Sequence, residues 1–197
     1  MERRKKNRVN CELFLFLIIG LFFAVSMTAC GARKVELDQD FQKILTYKFG
    51  ESREPLTVIS DRVRESYGNS KERLNLERQL AQLLRSESTL ECKDFACRQL
   101  RIIGTKESVP ALAELLAGEK TSDMARYALE QNPHPGAGKA LRKALKKAQG
   151  KALIGIINSL GERSDRRSVN TLKILSSDTD VEVASAAVAA LEKMGVK

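Results

Sequence analysis

The fold is decided by a stretch near the carboxyl end of the chain, ALIGIINSLGERSDRRSVNTLKIL, residues 152–175. Its first half carries apolar side chains at the i, i+3, i+4 and i+7 positions of one helical face: Leu153, Ile156, Ile157 and Leu160. Its second half carries a similar face at Val169, Leu172 and Leu175. Glycine and polar residues separate the two halves, as is typical of a turn. The stretch therefore predicts a hairpin of two short helices.

The leucine that ends the first helix recurs along the chain. These anchor leucines, Leu100, Leu129, Leu160 and Leu191, are spaced by 29, 31 and 31 residues. The first three are each followed, 12 residues later, by a further leucine: Leu112, Leu141 and Leu172. Self-similarity at about 30 residues is typical of arrays in which each unit buries its apolar face against its neighbours. We therefore predict an all-α fold, an α-solenoid of stacked antiparallel helical hairpins.

Two segments of these repeats carry a resemblance to a known family. The first is SLGERSD, residues 159–165, running on to Val169 and Leu172, and the second is DTDVEVA, residues 178–184. They resemble the HEAT repeat superfamily, in its bacterial phycobilisome-lyase-like branch, over residues 88–197 and more loosely over residues 51–87. The resemblance implies a HEAT/armadillo-like α-solenoid that is used chiefly for protein binding. Such motifs identify a fold rather than a reaction.

The pattern divides the chain into three parts. We predict a signal peptide or membrane anchor at residues 1–29, a tether with an N-terminal helix at 30–50, and the HEAT-like solenoid at 51–197. Within the solenoid, residues 51–87 form a divergent first hairpin, and residues 88–197 hold the clearer repeats. An atypical end unit is expected, because it covers the stack on one side and faces water on the other.

Three helix starts are predicted from the spacing of a capping box, a short polar residue followed three positions later by glutamate. The pairs are Asn69 with Glu72, Ser88 with Glu91, and Thr179 with Glu182.

The N-terminus has the pattern of a secretion signal. Five basic residues precede Glu12, and the apolar run Leu13–Val25 follows directly. The next segment, Met27–Gly31, resembles a bacterial lipoprotein signal in which Cys30 is lipidated and becomes the first residue. The alternative is an uncleaved anchor, because Leu13–Ala32 is uncharged and about long enough to cross a bilayer. Both alternatives place the repeats outside the cytoplasm, in the periplasmic part of a bacterial envelope.

Positive charge is concentrated in one predicted second helix. The chain has a formal net charge of +9 and no acidic residue between Glu130 and Glu162. Five basic residues form a candidate binding patch, and all of them except Lys147 are predicted to lie opposite Leu141 and Leu145. They are Lys139, Arg142, Lys143, Lys146 and Lys147. The patch is either a solvated helix face or a docking surface for an acidic protein segment, an anionic lipid or another polyanion.

Two observations argue against nucleic acid as the ligand of this patch. The basic helix lacks interleaved aromatic side chains, and the protein is predicted to be exported. Catalysis also finds little support. The single histidine, His134, lies between prolines in a predicted loop, and the chain has no phosphate-binding loop or nucleophile elbow. We therefore predict no catalytic residue, no metal site and no cofactor.

Two cysteines follow the predicted lipid site. Cys92 and Cys97 are five residues apart, so on one helix their side chains would point about 140° apart, too far for a disulfide. A bridge would require Cys92 to lie in the preceding turn. We expect Cys97 in the core and Cys92 partly exposed. Two thiols without nearby histidines also fall short of a zinc site.

Together these patterns predict a non-enzymatic, membrane-tethered scaffold or adaptor that binds an unidentified protein partner on the extracytoplasmic side. The alternative is a lyase-like or ligand-binding HEAT protein. It would act on a pigment, an anionic lipid or a polyanion through the basic helix at residues 139–151.

Overall fold

The computed structural model describes residues 36–196, and within this range the chain is entirely helical with no strand. The ten α-helices are α1 (Gln39–Lys43), α2 (Glu54–Glu65), α3 (Ser70–Arg85), α4 (Leu90–Ile103), α5 (Val109–Leu115), α6 (Ser122–Gln131), α7 (Pro135–Leu145), α8 (Gly150–Glu162), α9 (Val169–Leu175) and α10 (Val181–Lys193). A single 3-10 turn, Arg166–Ser168, precedes α9. The predicted all-α class is confirmed.

The periodic leucines form the middle of the core. The anchor leucines lie on alternate helices, α4, α6, α8 and α10, and the most exposed of them is Leu191 at 8%. The leucines that follow 12 residues later lie on α5, α7 and α9 and are fully buried. Helix formation and burial therefore have the same cause, an apolar face repeated every turn that only a neighbouring helix can cover.

The helices contact one another in two series. Helices α4, α6, α8 and α10 make contact in that order, and α3, α5 and α7 do likewise. Between the series, the most extensive contacts of consecutive helices join α3 with α4, α5 with α6, α7 with α8 and α9 with α10. In each predicted hairpin the anchor-leucine helix comes first and pairs with the helix that follows it. In the structure, each anchor-leucine helix instead makes its more extensive contact with the helix that precedes it. Periodicity determines the repeat length, but it does not determine where in the period a pair begins.

The segment before residue 51 belongs to this packing. Phe41, Ile44 and Tyr47 are buried in the core, and the predicted helix is present as α1. The backbone N–H of Asp38 donates to Gln79 Oε1 at 2.8 Å. Arg62 Nη1 donates to the Asp38 carboxylate, also at 2.8 Å. These bonds join the start of α1 to α2 and α3, so packing begins well before the predicted start of the solenoid.

Only one of the three predicted caps is correct. Asn69 accepts the backbone N–H of Glu72 at 3.1 Å, as expected. The caps predicted at Ser88 and Thr179 are wrong by one residue. Thr89 caps α4 by accepting the N–H of Cys92, and its hydroxyl also donates to the Tyr47 carbonyl.

At the other helix, Asp180 caps α10 by accepting the N–H groups of Glu182 and Val183. A carboxylate that accepts two amides at a helix N-terminus is a stronger cap than the neighbouring hydroxyl of Thr179.

A buried carboxylate ties the two helix series together. Glu77 on α3 is 1% exposed and accepts three hydrogen bonds from the turn between α4 and α5. The donors are the Thr105 N–H at 2.5 Å, the Thr105 hydroxyl at 2.8 Å and the Ser108 N–H at 3.0 Å. Asn132, after α6, donates to the carbonyl of the same Thr105 at 2.9 Å. The turn between α4 and α5 is thus bonded both to α3 and to the segment after α6.

Candidate functional site: the lysine surface

The candidate site is built on helix α7. Pro135 occupies its first turn, where a missing N–H costs no hydrogen bond. His134 Nδ1 accepts the N–H of Gly136 at 3.1 Å, so the single histidine serves as a helix cap. Leu141 and Leu145 are buried beneath the helix. Their burial determines which side of α7 faces water.

Five lysines lie exposed on and after this helix. They are Lys139, Lys143, Lys146, Lys147 and, at the start of α8, Lys151, and we call them the lysine surface. Within the part of the chain that the structure describes, no carboxylate forms an ion pair with any of them. Lys151 adds one charge to the predicted patch. The ammonium groups are available to an external anion, as the sequence predicted for the lysines.

Arg142 is the one member of the predicted patch that does not extend into solvent. Its side chain is 21% exposed and forms an ion pair with Asp165, which is 10% exposed. The pair fits because α7 carries Gly138 at this point, where a Cβ atom would collide with the Asp165 carboxylate. The expectation that Arg142 faces solvent is therefore wrong. A largely buried acid in the turn after α8 holds it.

A second arginine near this turn also has an internal role. Arg163 Nη1 donates to the carbonyls of Leu129, Glu130 and Asn132 at 2.6, 3.0 and 2.5 Å. These are carbonyls at the C-terminus of α6, where a cation complements the helix dipole. Burial lowers the pKa of the Arg163 guanidinium, and Asp165 partly opposes this effect. The two arginines thus hold the scaffold, whereas the lysines face water.

The cysteines are both buried in α4. Cys97 is 1% exposed, as predicted, but Cys92 is fully buried rather than partly exposed. The reason is the cap at Thr89, which places Cys92 inside the first turn of the helix. Both thiols are free, and one continuous helix carries them. Burial raises the pKa of Cys92 to about 11 and that of Cys97 to about 12.

These pKa values predict slow thiol chemistry in the folded chain. At about pH 8 we expect a disulfide-exchange reagent to label Cys92 about 100-fold more slowly than in the unfolded chain, because so little thiolate forms. Cys97 should react more slowly still. Labelling followed by peptide mass spectrometry resolves the two sites, and the chain unfolded in denaturant is the control. Equal rates in the two states would contradict the burial of the thiols.

The remaining predictions concern metal binding and the membrane. Within residues 36–196, no three histidine, cysteine or acidic side chains gather in a metal-binding arrangement. In the same range, no helix combines the length and the apolar content that a membrane crossing needs. The predicted signal or anchor at residues 1–29 and the lipid site Cys30 lie outside the described residues.

Comparison with protein-family models, with characterised proteins and with solved structures finds no match to this chain.

Proposed function

We propose that this protein is a non-enzymatic, membrane-tethered scaffold whose lysine surface captures an acidic segment of a partner protein on the extracytoplasmic side. The observation that carries the proposal is that the arginines near α7 bind other groups of the chain whereas the lysines do not. Arg142 and Arg163 are satisfied internally, whereas five neighbouring lysines are exposed without an ion pair among the described residues. Exposed like charges on one surface attract a complementary partner and accelerate its association.

The proposed architecture is a HEAT-like α-solenoid. Two observations support it: the anchor leucines recur on alternate helices, and the helices make contact in two parallel series. In such an array each unit touches only its neighbours, which leaves long helix faces open for binding. The lysine surface occupies one of these faces, on α7 and the start of α8.

The proposed tether follows from the N-terminal pattern. Lipidation at Cys30 or an uncleaved span over Leu13–Ala32 would hold the scaffold at a membrane. Confinement to a membrane raises the effective concentration of the scaffold near any partner held there. A modest affinity of the lysine surface would therefore be enough for capture.

The test is photocrosslinking from Gln149, which lies between Lys147 and Lys151 in the sequence. A photoreactive amino acid replaces the exposed Gln149 in the full chain, in its native envelope, and adducts are identified by mass spectrometry. In a five-lysine reversal variant, Lys139, Lys143, Lys146, Lys147 and Lys151 are all changed to Glu. We expect the yield of the crosslinked partner to fall at least about tenfold in this variant. Raising salt from about 0.05 M to about 0.5 M should weaken capture by the natural chain.

A matched control variant changes the formal charge by the same amount elsewhere. It carries glutamate at five other exposed lysines: Lys48, Lys71, Lys106, Lys120 and Lys173. Capture should survive in the control, and both variants should keep the helical content of the natural chain. Equal loss in both variants would contradict a located site. A surface that crosslinks no protein but retains phosphatidylglycerol vesicles would instead favour the anionic-lipid alternative.

A further inference from the structure

A groove lies between α4 and α6, on the helix series that does not carry α7. Its volume is about 570 Å³. Six of its lining residues matter here: Arg98, Arg101 and Ile102 from α4, and Met124, Arg126 and Tyr127 from α6. A volume of this size falls in the range that holds a small ligand or a few side chains of a peptide.

The groove has exposed apolar side chains. Ile102 is 62% exposed and Tyr127 is 42% exposed, and Met124 lies partly buried beside them. Single exposed apolar residues are common on protein surfaces, but a group of them in a concave site marks a place where another apolar group can bind. Desolvating these side chains would favour a ligand with an apolar portion of its own.

The arginines of the groove differ in how their charge is used. Arg98 pairs with Asp94 at 2.9 Å, and Arg126 pairs with Asp123 at 2.9 Å, each on its own helix. Arg101 has no ion pair within the part of the chain that the structure describes. One positive charge in the groove is therefore left over after these pairings.

The position of Arg101 prepares it for an anion. Its guanidinium lies over the Tyr127 ring, with 4.2 Å between Cζ and the ring centroid, and this stacking restricts its orientation. Its Nε is buried and has no hydrogen-bond partner among the described residues. A guanidinium stacked by its face keeps its edge for two parallel hydrogen bonds to a carboxylate. An external carboxylate would bind at the Nη1–Nη2 edge, because the buried Nε is closed to solvent.

We infer that this groove docks an acidic peptide segment of a partner protein. A glutamate or aspartate carboxylate pairs with Arg101, and an apolar side chain next to it in the peptide packs on Ile102 and Tyr127. The single uncompensated charge matches one carboxylate better than a multiply charged phosphate. This site is separate from the lysine surface and goes beyond the proposed function, because it gives the scaffold a second docking point on its other helix series.

The experiment uses the absence of tryptophan from this chain, which leaves the fluorescence of a tryptophan-containing probe unobscured. The probe is the acetylated, amidated tripeptide Glu-Trp-Leu, titrated with the full chain in detergent micelles, with empty micelles as the blank. The matched probe, Gln-Trp-Leu, differs only in its charge. We expect the acidic probe to bind at least about tenfold more tightly than the neutral one.

Variants then locate the binding. Arg101→Gln should reduce the affinity of the acidic probe to that of the neutral probe. Arg167→Gln, at an exposed arginine elsewhere, should leave both affinities unchanged. Ile102→Ser should weaken both probes, and because this residue is exposed it keeps the test informative even if the Arg101 variant unfolds. The five-lysine reversal variant should bind the acidic probe as the natural chain does, which separates this site from the lysine surface.

Two results would overturn the inference. The first is equal affinity for the acidic and neutral probes in the natural chain. The second is displacement of the acidic probe by inorganic phosphate or by phosphatidylglycerol at lower concentrations than by free acidic tripeptide. That outcome would assign the groove to phosphate-bearing ligands rather than to a peptide carboxylate.

Discussion

Replacing Leu160 with alanine should lower the free energy of unfolding by about 2–5 kcal/mol. Leu160 is fully buried on α8, and this helix contacts both α6 and α10. Truncation removes apolar contacts and leaves a cavity that the stacked helices cannot fill, since each is held on two sides. Urea-induced unfolding followed by far-ultraviolet circular dichroism measures the loss.

The matched control is Ile174→Ala on α9. This side chain is 75% exposed, so its truncation should change the stability by less than about 0.5 kcal/mol. Comparable losses in the two variants would mean that the periodic leucines do not form the core of the folded chain.

The core could be predicted because periodicity is a local signal. An apolar residue every three or four positions shows which side of a helix is covered, and every anchor leucine is buried accordingly. The pairing of the helices was harder to predict. The leucine pattern is the same whether an anchor-leucine helix pairs with the helix before it or with the helix after it. The helix caps at Thr89 and Asp180 were missed by one residue, because adjacent polar residues compete for the same backbone amides.

The candidate site was also only partly predictable from the sequence. The exposure of the lysines was predictable, since charged residues on the helix face opposite buried leucines lie in solvent. The position of Arg142 was not, because its partner Asp165 is 23 residues away and belongs to another element. The stacked pair of Arg101 and Tyr127 was also missed. Arg101 follows its anchor leucine by one residue and Tyr127 precedes its own by two, so the two do not occupy equivalent positions of the repeat and the repeat pattern does not pair them.

Replacing Glu77 with alanine should destabilise the chain by about 3 kcal/mol, because three donors in the turn after α4 lose their acceptor. Two of these donors are backbone N–H groups, of Thr105 and Ser108, and an unpaired buried amide is costly. Glu77→Gln should cost less, since a carbonyl oxygen in the place of Oε1 still accepts both backbone N–H groups, and the NH₂ group in the place of Oε2 can donate to the Thr105 hydroxyl. Urea unfolding gives the size of each effect.

The control is Glu65→Ala, at an exposed glutamate on α2, with an expected change below about 0.5 kcal/mol. Hydrogen exchange shows which amides lose protection, whereas urea unfolding gives only the total loss of stability. If Glu77 orders the turn, the amides of Thr105 and Ser108 should lose protection in Glu77→Ala under conditions where the core amides of α8 keep theirs.

A uniform loss of protection across all helices would contradict that local role, because it would mean that Glu77 supports the whole array equally. The local outcome has a consequence for the groove. The turn that Glu77 orders directly follows Arg101 and Ile102, so loosening it in Glu77→Ala should weaken binding of the acidic probe. Unchanged affinity for the acidic probe in this variant would mean that the groove does not depend on the turn after α4.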